Sequence, residues 1–191
     1  MEFFIGNTRV KISFWFLAGV TLFVLLDRSF IVLPLFGTIL LHEGVHLTLL
    51  RLCGSKIRGC ELHLYGVRLS CELGALPPKR RAAVYLSAPL CNLLLGGILY
   101  LCDPMIIFGV YNLVIGAYNL IPIPPLDGGN AARALCRSRA ARAACSLISL
   151  LCLAAAFAGA LWLLWTRRNW TLLACALYLL AVLLKGGEEA L

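Results

Sequence analysis

Apolar residues fall in long runs along the chain, at about 12–26, 29–50, 82–101, 104–126, 143–166 and 169–184, with short polar stretches between them. Most runs approach the roughly 20 residues a helix needs to cross a bilayer, so the pattern predicts about six transmembrane helices. Residues 57–72 break that pattern, because alternating positions around Gly66 predict strand, turn, strand, a short β-hairpin. Pro77 and Pro78 then punctuate the chain before Lys79, Arg80 and Arg81, and the third span is expected to open near Ala82. The expected fold is all-α and integral to a membrane, carrying one short membrane-associated β-hairpin. Its loops are too short to fold a soluble domain, so residues 1–191 are expected to form a single membrane-embedded domain.

Composition agrees with this reading. Of 191 residues, 61% are hydrophobic and 14% charged, against about 45–50% and about 25% in soluble domains. The net charge of +8 therefore reads as a set of topology signals rather than a nucleic-acid surface. If six spans alternate sides, fourteen of the seventeen Lys and Arg residues share one side, and only Arg28, Arg167 and Arg168 occupy the other. Both termini are expected to be cytoplasmic. Residues 1–11 lack a convincing small-residue cleavage site, so the first run is expected to stay as a span. The nine cysteines contain no CxxC pair, which excludes a zinc ribbon, and their odd number argues against a complete disulfide framework.

The second run holds His42, Glu43 and His46 in an otherwise apolar helix. Lipid offers ionisable groups no partner, so such residues face the protein interior and carry function. HEGVH at 42–46 sets two imidazoles four residues apart on one helix face, the spacing with which both reach a single zinc ion. Glu43 beside them is placed to take a proton from the water that zinc activates. A catalytic zinc site needs a third protein ligand, and Asp127 is the candidate: Asp27 and Asp103 lie at span ends, and His63 lies in the hairpin. Depth supports this choice. The second span reaches His42 after about 13 residues, roughly 20 Å, and the fourth runs in the same direction before the prolines of NLIPIPPLDGG (119–129) interrupt it. Three prolines in four positions cannot continue a regular helix, and irregular backbone at membrane depth is tolerated only against protein or a water-filled cavity. SAPLCN at 87–92 likewise places a proline and an asparagine at membrane depth.

With these motifs in order, the chain resembles the site-2 protease family of intramembrane metalloproteases, and within it the compact bacterial branch that includes the sporulation processing protease of pro-sigma factors. HEGVH matches the family's HExxH, NLIPIPPLDGG its Asn-through-Leu-Asp-Gly motif, and SAPLCN its Gly-Pro-x-x-Asn segment with Ala88 in place of glycine. The resemblance implies a catalytic core of three helices (29–52, 82–101 and 104–130), accessory spans at 12–26, 143–166 and 169–184, and a hairpin at 57–72 that presents substrate. It further implies one zinc ion, a membrane-spanning or membrane-associated protein substrate, a membrane regulatory partner, location in a bacterial cell membrane, and Asn92 and Asn119 as polar helpers near the scissile bond. Either asparagine can equally serve as interhelical glue. Two other functions remain open at this level. A zinc- or proton-coupled transporter would use the same four residues as an ion site, although no internal repeat is visible. A catalytically dead scaffold would bind membrane segments, but the retained Glu43 opposes it.

Overall fold

The computed structural model describes residues 2–5, 8–27, 31–55, 57–63, 66–71, 75–104, 106–168 and 170–188. The protein is mostly helical. In chain order its elements are β1 (Glu2–Ile5), β2 (Thr8–Ile12), α1 (Phe14–Leu26), α2 (Val32–Leu52), β3 (Ile57–His63), β4 (Gly66–Cys71), α3 (Pro78–Cys102), α4 (Ile107–Asn119), α5 (Asp127–Leu135), α6 (Arg139–Arg167) and α7 (Thr171–Glu188). They fall into two compact units that divide between Ala117 and Tyr118.

In the first unit the strands form one sheet of order β1-β2-β3-β4. β1 and β2 pair antiparallel, β2 and β3 parallel, and β3 and β4 antiparallel, with Glu61 opposite Arg68. The sequence reading expected two strands over 57–72; Leu64, Tyr65 and Glu72 lie outside the described residues. It did not expect β1 and β2, which pair with each other, nor the parallel pairing of β2 with β3 some fifty residues further along the chain. Asp27 ends α1, and its carboxylate accepts from the Val32 amide (2.7 Å), satisfying an N–H at the start of α2. α3 begins at Pro78, earlier than expected. A proline in the first turn costs no hydrogen bond and presets φ for a helix, so the basic cluster sits inside the helix rather than ahead of it.

The helices of this unit pack through small residues. Gly96 lies so close to α4 that an added Cβ would come within 2.8 Å of the Gly109 carbonyl, and one on Gly116 would come within 2.8 Å of the Pro89 carbonyl. Small residues permit this backbone approach where lipid supplies no hydrophobic drive. A polar clasp accompanies it: Asn112 Nδ2 donates to Thr38 Oγ1 (3.2 Å) and to the Phe108 carbonyl (2.8 Å), with Thr38 and Asn112 both fully buried.

In the second unit, α6 and α7 pack together and hold the segment that precedes α5. Ile123, Leu126, Leu153 and Leu179 form its buried core, flanked by Tyr118 and Phe157. Fully burying one such side chain is worth about 1.5–3 kcal/mol.

Among the described residues three helices, α2, α3 and α6, are long and apolar enough to cross a membrane; α1 and α7 supply shorter apolar stretches. Of the six expected spans, three meet that length and composition among the described residues. The run 104–126 reads as one span, yet only α4 within it is helical. An apolar composition does not distinguish a buried helix from a buried proline-rich turn.

Candidate metal centre

α2 carries HEGVH as regular helix, so His42 and His46 share a face. Both are buried, at 6% and 8% exposure. Their rings lie 4.9 Å apart between centroids and nearly perpendicular, at 87°. His46 Nδ1–H donates to the Val84 carbonyl of α3 at 2.9 Å. A carbonyl can only accept, so the proton must sit on Nδ1, which leaves the Nε2 lone pair for a ligand. Histidines that bind metal are typically held in this way. The Ser87 hydroxyl donates to the same carbonyl (2.7 Å). Glu43 is half-buried on the same helix turn.

Asp127 is the first residue of α5, where an anionic carboxylate is favoured by the helix dipole. Residues 120–126 lead into it as a tight turn containing a cis Pro124–Pro125 bond. Backbone bonds from the Ile123 amide to the Ile121 carbonyl (2.7 Å) and from the Leu126 amide to the Ile123 carbonyl (2.8 Å) close it. The Ser149 hydroxyl of α6 donates to the Pro122 carbonyl (2.5 Å), in competition with the Cys145 carbonyl of its own helix (2.9 Å). Gly128 and Gly129 are needed for close approach: an added Cβ would come within 2.2 Å of the Leu120 carbonyl or 2.3 Å of the Pro124 nitrogen. Both therefore set where Asp127 stands.

Among the described residues, His42, His46 and Asp127 form a group that could hold a metal, each offering one ligand atom, all within 4.8 Å of one another. Two imidazoles and one carboxylate are the donor set of catalytic zinc sites, and the fixed tautomer of His46 fits it. Asn92 lies fully buried on α3, with neither Nδ2 nor Oδ1 meeting a hydrogen-bond partner among the described residues. Asn119 closes α4 and is half-buried. His63 falls in β3. Three contributors escaped the sequence reading: the Val84 carbonyl, Ser149, and the Asn112–Thr38 clasp. Only Asn112, a polar residue inside an apolar run, left a signal there.

Fold and donor set define a helical protein with membrane-length helices and a site suited to zinc. Comparison with known proteins takes this further. Residues 101–158 match the model of peptidase family M50, a stretch that contains Asp127 but not HEGVH. The fold resembles the site-2 protease from Methanocaldococcus jannaschii, with a TM-score of 0.63 and 21% identity, covering 94% of this chain and 91% of that one. No curated protein matches by sequence. The M50 match covers less than a third of the chain and the structural likeness is one of fold; both are compatible with a metal site at His42, His46 and Asp127. They lend nothing to the transport reading.

Proposed function

We propose that the protein is an intramembrane zinc endopeptidase in which His42, His46 and Asp127 hold the ion and Glu43 is the general base. The gathering of those three donors carries this reading. When bound, zinc polarises a carbonyl and brings the pKa of water towards about 7. The Glu43 carboxylate takes the proton from the attacking water and returns it to the leaving amine. His46, locked by Val84, presents Nε2 without a proton, and Asp127 supplies the compensating charge. The unpartnered amide of Asn92 is suited to hydrogen-bonding a substrate backbone that has left its helix; a buried amide without a partner costs about 1–3 kcal/mol, a cost that function would explain. Asn119 is a weaker helper of the same kind. The substrate is a membrane-spanning or membrane-associated protein, cut near the cytoplasmic face, and the compact sporulation branch is the nearest analogy.

The test separates binding from chemistry. Glu43→Gln is expected to retain one zinc per chain while cleavage falls by at least about a thousandfold. His42→Ala, His46→Ala and Asp127→Ala are expected to lose both. Normal cleavage by Glu43→Gln, with metal content measured on the same protein, removes the hydrolytic assignment.

A further inference from the structure

A cavity of about 490 Å³ lies at the end of α6 that begins with Arg139. Part of its lining is the Pro124–Pro125 turn leading to Asp127, and part is apolar, Val182 and Leu183 of α7. Asn130, Arg133, Arg142 and Ser146 add hydrogen-bond donors. From Arg133 to Arg142 the chain carries four arginines and no acid. Neither Arg133 nor Arg142 meets a carboxylate among the described residues. The positive end of α6 adds to this charge; Ser138 caps it by accepting from the Ala141 amide (3.0 Å). Two thiols, Cys136 and Cys145, complete the wall. A hydrogen bond with Cys145 pushes the Cys136 thiol above its ordinary pKa, so it stays neutral and does not offset the arginines.

A purely apolar occupant would leave two guanidinium groups facing it without a counter-charge, and a small inorganic anion would leave Val182 and Leu183 against water. A phosphodiester bearing acyl chains satisfies both walls. α6 is a membrane-length helix, so its basic end belongs where headgroups lie, and basic pockets between spans recognise anionic lipids there. We propose that this cavity binds the phosphate headgroup of an anionic phospholipid. Asn130 Nδ2, in the same lining, donates to the Pro125 carbonyl (2.9 Å), so an occupant also braces the turn that aims Asp127. That consequence for the metal rests on the function proposed above; the binding itself does not.

Thermal unfolding of the purified full chain in neutral detergent tests the site, with dioctanoyl-phosphatidylglycerol as probe and dioctanoyl-phosphatidylcholine and inorganic phosphate as equimolar controls. Phosphatidylglycerol is expected to raise the midpoint by about 3 °C or more, the controls to leave it in place, and Arg133→Gln/Arg142→Gln to abolish the shift. If that double variant does not fold, Arg133→Lys/Arg142→Lys is expected to keep most of the shift and each single Gln variant to lose part of it. An undiminished shift in the Gln variants, or one equalled by phosphatidylcholine, overturns the proposal, and one equalled by inorganic phosphate rejects a lipid as its source. The Glu43→Gln protein is expected to show the same shift, so lipid binding and peptide hydrolysis fail or stand separately.

Discussion

The Val84 carbonyl determines which nitrogen of His46 carries a proton, and so which one can face a metal. No pattern of side chains announces such a contact, whereas HEGVH and the Asp127 motif stand out because ionisable residues are costly in apolar runs. The three donors were legible for that reason, and their backbone supports were not. Asn92 allows its two readings to be told apart. An amide acting as interhelical glue would stabilise the fold, but this one meets no partner among the described residues. Asn92→Leu is therefore expected to leave thermal stability unchanged or raised while cutting kcat by about tenfold or more. A loss of stability with unchanged turnover per folded molecule, measured by calorimetry and peptide assay, would return Asn92 to a structural role.

At the scale of elements, each long apolar run holds one helix, but the run 104–126 overstates the length of its own. α4 ends at Asn119 because Pro122, Pro124 and Pro125 remove donors and clash with the preceding turn, yet the turn they make is apolar enough to be read as more span. β1 and β2 were hidden differently: a pair of four- and five-residue strands is marginal alone, and the further partner that β2 gains, β3, is distant in sequence. Among the described residues β4 pairs only with β3, so its other edge is the place where an extended substrate could add as a strand. Successive amides of a strand point to opposite sides. Of Val67→Pro and Arg68→Pro, one should therefore damage the β3 ladder and the other only the free edge. The edge variant is expected to stay folded, keep its zinc and cleave at least about fivefold more slowly on helical substrates. If both leave the rate untouched, β4 does not present substrate.

Over the whole molecule, large apolar side chains face outward: Leu25, Leu33, Leu101 and Trp165 are 76%, 73%, 86% and 89% exposed, a surface that water would not tolerate and lipid would. Trp162, Trp165 and Trp170 cluster with Arg167 and Arg168 around the α6–α7 turn, as at a membrane–water boundary. We propose from the charge asymmetry that this turn lies outside and both termini in the cytoplasm. Reporter fusions after Leu191 are expected to be active only in cytoplasmic format, and activity in the external format would reverse the topology. One further consequence concerns the turn before Asp127, which is held to α6 and α7 by Ile123, Leu126 and Ser149. On the function proposed above, an Asp127 ligand fastened to α6 and α7 would make metal affinity and helix packing reciprocal: whatever free energy the packing lends to ion capture, the ion returns to the packing. Ile123→Ala, which removes about 2–5 kcal/mol of burial, is expected to weaken zinc retention without touching any donor. Chelation is expected in turn to speed amide exchange around Leu179, and exchange there indifferent to zinc would show that α6 and α7 hold the turn without sensing the metal.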